Sequence, residues 1–171
     1  MAESSGVDIR AAVPGLDDDA VVRLMTEYMT WAHERLASEF GVHDPPADPS
    51  EVREHLDDFR APMGALLLAE SNGSAAGVGA LRMLGVDVAE VKRMYVNPRW
   101  RGLHLGSALL DQLLDEARAR GVQVVRLDTC RFMASAQGLY RSRGFQERPP
   151  YRGTEIPEHL QKYWIFFERD L

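Results

Sequence analysis

The segment from Asn97 to Leu110 constrains this chain more than any other part of its sequence. It reads NPRWRGLHLGSALL, follows an extended run and leads into leucines at helical spacing. The first N–H groups of a helix have no partner inside the helix, and the helix dipole favours negative charge there. Gly102 and Gly106 allow a ligand to approach the backbone closely, and Arg101 adds a forked cation suited to phosphate oxygens. The segment therefore predicts a strand, a tight turn and a helix start that bind a diphosphate.

Periodicity places further elements on both sides of this turn. Before it we predict a strand over 7–13, helical segments over 18–40 and 49–59 (the second capped by Asp48), and a hairpin turning at Asn72-Gly73 before the strand that ends near 96. After it we predict a helix over 104–120, a parallel strand over 122–129, a helix over 134–143 and strands near 145 and 163–168. The order indicates an α/β (α+β) fold with a mixed, mostly antiparallel sheet. Residues 1–171 are expected to form a single domain.

Composition argues against several classes of function. The 171 residues carry a net charge of −6, which disfavours nucleic-acid binding because that needs a clustered basic face. No apolar run approaches the ~20 residues that span a membrane, and the N-terminus lacks the pattern of a secretory leader. Cys130 is the only cysteine and the five histidines lack metal-binding spacing, so we expect no metal. A cytoplasmic protein is expected.

Two motifs at the appropriate separation match the signature of one enzyme family. In that family a strand ending in hydrophobic-Val-x-Pro precedes Arg or Gln, two residues, Gly or Ala, one residue, and Gly or Ala. This chain has Tyr95-Val96-Asn97-Pro98, followed by Arg101-Gly102-Leu103-His104-Leu105-Gly106. The second motif, Asn, two residues, Ala, three residues, Tyr and then Gly-Phe, corresponds here to Met133, Ala136, Tyr140 and Gly144-Phe145. From about Leu66 to Phe145 the chain thus resembles the GCN5-related N-acetyltransferase (GNAT) family.

The resemblance implies a GNAT fold, with helices on both faces of the sheet and a V-shaped strand splay, and acetyl-CoA as co-substrate. A break between the two central strands near Tyr95 to Pro98 would admit the pantetheine arm, which the backbones of Met94 and Val96 would bind. Arg101, Gly102 and the amides of the turn would hold the diphosphate. The turn amides are those of Leu103, His104, Leu105, Gly106 and Ser107. Met133 and Ala136 complete the expected cofactor site.

Two residues depart from the family pattern. His104 occupies the first Gly or Ala position of the turn, where family members usually have little or no side chain. A helical backbone there would let the imidazole point aside, whereas φ above zero would strain the residue. Met133 stands where the family often has Asn and removes a polar contact. Both departures put the affinity for acetyl-CoA in question.

Tyr140 and Glu90 are the candidate catalytic residues that the resemblance implies. A phenol has a pKa of about 10, close to that of a thiol, so Tyr140 can act as general acid toward the CoA thiolate. The alternative is an aromatic residue that packs the short helix on the sheet. Glu90 is the candidate general base, directly or through water. The alternative for Glu90 is a solvated strand carboxylate paired with Lys92 or Arg93. The amine can also lose its proton to water alone, with no dedicated base.

Strand alternation groups the residues around Glu90 by face. It places Glu90, Lys92, Met94 and Val96 on one face, and Val91, Arg93 and Tyr95 on the other. Other residues are candidates for the acceptor site. Tyr28 and Trp31 can line an acceptor pocket or be plain core, and Asp87, Asp128 and Glu39 can pair with a cationic acceptor. Cys130 is expected to be a small buried side chain and not an acyl carrier.

The preferred hypothesis is an acetyl-CoA-dependent N-acetyltransferase that acts on a primary amine of a small molecule or amino-acid-like acceptor, by direct attack in a ternary complex. One alternative is a protein or peptide N-acetyltransferase, which would need an open groove bounded by the loop from Asp44 to Pro49. Another is a catalytically inactive CoA-binding regulatory module. The family's habit favours a homodimer, and the apolar segment Tyr163 to Phe167 is a central strand or part of the interface.

Overall fold

Seven strands form one sheet in the computed structural model, which describes residues 6–171. Residues 1–5, on which the prediction about a secretory leader largely rests, lie outside the described residues. The strands are β1 (Val7–Ala11), β2 (Gly64–Ser71), β3 (Ser74–Met83), β4 (Val88–Val96), β5 (Val124–Cys130), β6 (Gln146–Arg148) and β7 (Trp164–Asp170). Their order in the sheet is β1-β2-β3-β4-β5-β7-β6. Only β4 and β5 are parallel, so the predicted mixed, mostly antiparallel sheet is confirmed.

The helices cover both faces of this sheet, as predicted. They are α1 (Asp18–Phe40), α2 (Pro49–Glu54), α3 (Leu105–Ala119) and α4 (Ala134–Ser142). The side chain of Asp48 accepts a hydrogen bond of 2.8 Å from the Ser50 amide, which confirms the predicted cap of α2. The single helix predicted over 49–59 is wrong in one respect, because a separate 3-10 helix, Leu56–Phe59, follows α2. None of the helices within 6–171 is long and apolar enough to cross a membrane.

The apolar stripe of α3 packs on one face of the sheet. Its predicted members are all buried: Leu105, Leu109, Leu110, Leu113 and Ala117. The stripe of α1, which includes Val21, Leu24 and Met25, packs on the opposite face with a second apolar cluster. The sheet therefore separates an α3 face from an α1 face, and a ligand that contacts both must pass between two strands.

A β-bulge in β4 overturns the predicted alternation along this strand. Lys92 pairs with Ala80 and Tyr95 with Val78, so one extra residue of β4 is inserted between them. Arg93 lies in the bulge with φ of 55°. Before the bulge Val91 faces α3, whereas beyond it Met94 and Val96 contact that cluster and Tyr95 belongs to the α1 face. Glu90 and Lys92 therefore share a face with Tyr95 and not with Met94 and Val96.

Candidate active site

The two central strands separate soon after they pair. The parallel register joins only Val88, Ala89 and Glu90 of β4 to β5. Beyond this point β5 pairs with β7 as far as Cys130, while β4 stays on β3 as far as Val96. The edge of β4 that faces β5 consequently lacks a strand partner from residue 91 to residue 96, and its peptide groups are available to an extended ligand. The gap opens after Glu90, earlier than the predicted break near Tyr95 to Pro98.

The turn at the end of β4 exposes unpaired amides. Asn97 caps a 3-10 helix (Pro98–Trp100) by accepting a 3.0 Å hydrogen bond from the Arg99 amide, and Gly102 turns the chain with φ of 88°. The first hydrogen bond of α3 runs from the Ala108 amide to the His104 carbonyl, at 3.0 Å. The amides at 105, 106 and 107 have no acceptor within 6–171. The turn therefore has the predicted form of an anion site at a helix N-terminus.

His104 has the strained backbone with φ above zero and not the helical one. Its φ of 58° and ψ of 23° lie in the left-handed region, and its exposed imidazole makes no capping hydrogen bond. A side chain in this region costs about 1–2 kcal/mol relative to glycine's freedom. The departure from the family pattern therefore strains the backbone of the turn. Because the exposed side chain makes no capping contact, the amides of the turn stay free to bind a ligand.

A cavity of about 410 Å³ passes through the gap between the strands. On the α3 side it is lined by Met94, Val96, Arg101, Gly106, Met133, Ala136 and Leu139. The structure thus brings together many of the predicted cofactor-binding residues from two motifs separated along the chain. Arg101 extends from the turn and its Nε donates to the Val96 carbonyl at 3.4 Å, while its terminal nitrogens have no partner within the described chain.

The α1 side of the cavity has an aromatic wall. Tyr28 and Trp31, which the sequence left open between core and pocket, both line it. Trp31 packs edge-on against Phe132, with ring centroids 5.5 Å apart, and so connects α1 to the loop after β5. Phe132, Arg35 and Ser135 were missed from sequence, because nothing in their spacing shows that the loop after β5 meets α1.

Tyr140 lies inside the cavity and is 6% exposed. Its ring packs on Phe145 and Phe167, each with a centroid separation of 6.0 Å. The ring therefore has the packing role considered as the alternative, while the hydroxyl is left for chemistry. Its hydroxyl makes no hydrogen bond within residues 6–171 and is not fully enclosed by protein atoms. Burial, reinforced by the charge of Asp128, raises the pKa of Tyr140 above its usual range, so the phenol remains protonated at neutral pH.

Met133 stands at the N-cap of α4 and provides no capping hydrogen bond to the helix. Its sulfur accepts a 3.4 Å hydrogen bond from the Thr129 hydroxyl instead. The side chain thus fills the cavity wall without the polar contact that the family's Asn would offer.

Glu90 lies in a buried network of charges on the α1 face. Its carboxylate is fully buried; one oxygen accepts a 2.8 Å hydrogen bond from Arg82 and the other accepts one from the Tyr151 hydroxyl. Lys92 is 3.6 Å from Glu90 and 3.0 Å from Glu155. The predicted pairing with Lys92 is thus present, but the predicted solvated carboxylate is wrong, because Glu90 is fully buried and Arg82 is its closer partner.

Asp128 belongs to the same network through an ion pair with Lys92, but its Oδ2 accepts no hydrogen bond from the described residues. It lies on β5 beyond the last pair with β4, and its side chain is 9% exposed. The buried Oδ2 is 3.6 Å from the Lys92 ammonium and has no hydrogen-bond partner within the described chain. Burial raises the pKa of Asp128, against the lowering effect of Lys92. Its charge also contributes to raising the pKa values of Tyr28 and Tyr140, after the larger effect of burial.

The other candidates of the sequence lie elsewhere. Cys130 is buried, its thiol donates to the Tyr163 carbonyl at 3.3 Å, and burial raises its pKa to about 11, so a thiolate is disfavoured. Asp87 precedes β4 at the closed end of the gap, and Glu39 pairs with Arg35 at 2.8 Å. No cluster of three or more His, Cys, Asp or Glu within 6–171 is arranged to hold a metal ion.

Comparison with known proteins agrees with this geometry. The acetyltransferase (GNAT) family matches residues 23–145. The chain is 35% identical over 130 residues to the IAA acetyltransferase of Azospirillum brasilense, covering 74% of this chain and 80% of that protein. It is 37% identical over 76 residues to the ribosomal protein bS18-alanine N-acetyltransferase of Escherichia coli, covering 44% of this chain and 51% of that one. A GNAT-family acetyltransferase structure from Staphylococcus aureus superposes with a TM-score of 0.74 at 19% identity, covering 96% and 99% of the two chains.

The strand gap, the amide turn and these matches define an acyl-CoA-dependent transferase. The chain belongs to the acetyltransferase (GNAT) family and is an N-acetyltransferase whose co-substrate is acetyl-CoA. The predicted family, fold and co-substrate are therefore confirmed.

Replacing His104 by glycine tests whether the turn is strained. Because glycine accepts positive φ freely, we expect His104→Gly to raise the free energy of unfolding by about 0.5–1 kcal/mol. Calorimetric titration should show acetyl-CoA affinity unchanged within about threefold. Asn72→Gly is the matched control, since Asn72 has φ of 50° in the β2–β3 hairpin, away from the cavity. A tenfold loss of affinity in His104→Gly alone would instead show that the imidazole itself contributes to binding.

Proposed function

We propose that this enzyme transfers the acetyl group to the primary amine of a small molecule or amino-acid-like acceptor, by direct attack in a ternary complex. The supporting observation is the cavity through the strand gap, which joins the α3 turn to an aromatic chamber on the α1 side. The Trp31–Phe132 contact narrows this chamber, which favours a compact acceptor. The enzyme would act as a single catalytic domain in the cytoplasm, and a homodimer stays a prediction.

The residues of the site fit acetyl-CoA, which supplies an activated acetyl thioester. The unpaired edge of β4 at Met94, Tyr95 and Val96 would bind the pantetheine arm as an added strand. The turn residues Gly102, Leu103, His104, Leu105, Gly106 and Ser107 would hold the diphosphate through their amides, with Arg101 beside them. Met133 and Ala136 would line the wall next to the arm.

Each proton of the transfer has a proposed destination. Because Asp128 does not line the cavity, it accepts one proton from the acceptor ammonium through a relaying water, which frees the nitrogen lone pair for attack on the thioester carbonyl carbon. As the new C–N bond forms and the C–S bond breaks, Tyr140 donates its proton to the departing sulfur. The second proton lost by nitrogen restores the phenol. One proton remains on Asp128 and returns to solvent, so the transfer balances.

Removing the Tyr140 hydroxyl tests the acid role. Tyr140→Phe keeps the ring packing and removes the donor, so we expect kcat to fall by roughly 100-fold with little change in stability. The rate is measured as thiol release. Tyr163→Phe is the matched control, because Tyr163 stacks on Phe40 at 4.6 Å and does not line the cavity. An unchanged rate in Tyr140→Phe would remove this residue from the chemistry, whereas complete lack of turnover in the parent enzyme would support a regulatory module.

Two carboxylates are candidates for the base. Glu90 was predicted from sequence, and in the structure both its oxygens already accept hydrogen bonds. Asp128 lies on β5 beyond the last pair with β4, and its Oδ2 accepts no hydrogen bond within 6–171, although it is ion-paired with Lys92. We therefore propose that Asp128 receives the proton, and that Glu90 acts on the reaction by holding Arg82 and Lys92 in place.

The pH dependence of kcat/KM separates these roles. Asp128 accepts a proton only when ionised, and burial raises its pKa, so kcat/KM should rise with pH through this pKa and then level off. Asp128→Asn should remove that acid limb and lower the plateau by about 100-fold. Glu90→Gln should keep the limb and lower thermal stability, because it leaves buried cations short of a partner. If Glu90→Gln removed the acid limb of the profile and Asp128→Asn kept it, Glu90 would be the base.

A second candidate acceptor is a peptide N-terminus. A groove of about 590 Å³ runs beside the cavity between α1 and α2, and Trp31 lines both. Its borders include Pro49, at the end of the loop predicted to decide between pocket and groove. The bS18-alanine N-acetyltransferase relative acts on a protein by its name. A peptide acceptor would extend along this groove, with its terminal amine in the cavity.

A further inference from the structure

The charge of the cavity is opposite to that of the chain. The protein carries a net charge of −6, yet the residues that line the cavity include the arginines Arg35 and Arg101 and no aspartate or glutamate. Arg101 belongs to the turn on the α3 side, where a diphosphate accounts for it. Arg35 is on α1, across the sheet from that turn, and the diphosphate site gives it no role.

Arg35 is oriented toward the aromatic chamber. Tyr28, Trp31 and Arg35 follow each other at helical spacing and all line the cavity, so one face of α1 presents them together. The guanidinium carbon lies 4.8 Å from the centroid of the Phe132 ring. Only one terminal nitrogen is engaged, at 2.8 Å from Glu39, and the remaining nitrogens have no partner within the described chain.

Arg93 adds a second cation on the same side. It is half-buried in the bulge of β4, directly before the cavity residue Met94, and its guanidinium makes no hydrogen bond or ion pair within residues 6–171. Burial raises the pKa of Tyr28 to about 12, and the charge of Arg93 opposes that rise. Arg93 does not line the cavity itself, but it directly precedes Met94 and Tyr95, which do. Its position in the left-handed region is costly for a long side chain, which is consistent with a functional constraint.

We propose that the acceptor carries a carboxylate beside its amine, and that Arg35 binds this carboxylate with Arg93 as a supporting cation beside the cavity. This inference rests on the proposed function and specifies its substrate class as a free amino acid. Guanidinium forks match carboxylate oxygens in geometry and charge. An amine with no anionic group would bring its ammonium toward the Arg35 guanidinium without a carboxylate of its own to bind it. A zwitterion meets the cations with its carboxylate and leaves its amine for the thioester and Asp128.

The test compares acceptors that differ only next to the amine. The probes are L-phenylalanine, L-phenylalaninamide and phenethylamine, with L-alanine, L-alaninamide and ethylamine as a small set. The wild-type enzyme should prefer the free acid to the amide in kcat/KM by roughly tenfold to a hundredfold, with the difference mainly in KM. Arg35→Gln should abolish most of this preference. Since intrinsic amine reactivity is the same for both enzymes, it cancels when the preferences are compared.

Two further variants control the comparison. Arg93→Asn keeps a residue that tolerates positive φ and should also reduce the preference for the acid. Arg23→Gln removes the other exposed arginine of α1 that pairs with a glutamate four residues on, and should leave the preference unchanged. Acetyl-CoA affinity, measured by calorimetry, should be the same in Arg35→Gln as in the wild type. A loss of that affinity would place Arg35 in the cofactor site and overturn the proposal.

The outcomes distinguish this inference from the proposed function. Faster acetylation of the amines or amides than of the free acids, unchanged in Arg35→Gln, would overturn the carboxylate site and leave small-amine transfer intact. Turnover restricted to a peptide with a free N-terminus would overturn both. Preference for the acids that disappears in Arg35→Gln and Arg93→Asn, with Arg23→Gln behaving as wild type, would support the carboxylate site.

Discussion

The site depends on the early end of the pairing between β4 and β5, which opens a gap in the sheet. After three parallel pairs with β4, β5 continues along β7, and β4 remains on β3. Because unpaired peptide groups need hydrogen-bond partners, this separation leaves the β4 edge able to bind an extended ligand in place of a strand. The gap also joins the two faces of the sheet, so the α3 turn and the α1 wall can act on one reaction. Without the separation, Tyr140 would be an ordinary core aromatic.

The bulge in β4 supplies the second constraint. One inserted residue reverses which side chains face α3, so Met94 and Val96 reach the cofactor side while Glu90 and Lys92 stay on the acceptor side. The same insertion holds Arg93 at positive φ beside Met94. A single local irregularity thus keeps the cofactor wall apolar and concentrates the ionisable groups of β4 on the other face, next to Asp128.

Much of this arrangement could be predicted from sequence because it depends on local signals. The Asn72-Gly73 hairpin, the cap at Asp48 and the α3 stripe each follow from neighbouring residues, and the structure confirms them. The bulge could not be predicted, because strict alternation assumes that no residue is inserted. The aromatic wall depends on Phe132 meeting Trp31, a contact between segments about a hundred positions apart. The hydrogen bond from Tyr151 to Glu90 joins residues 61 positions apart and was likewise beyond local patterns.

The most direct test of the central claim is a calorimetric titration of the full chain with acetyl-CoA and with acetyl-pantetheine, which has the thioester arm without the diphosphate. If the β4 edge and the α3 turn bind the cofactor together, acetyl-CoA should bind saturably, with a Kd on the order of micromolar. Acetyl-pantetheine should bind at least tenfold more weakly, since it cannot use the turn amides or Arg101. Equal affinities, or no saturable binding of acetyl-CoA, would contradict the assignment of this turn and gap as the cofactor site.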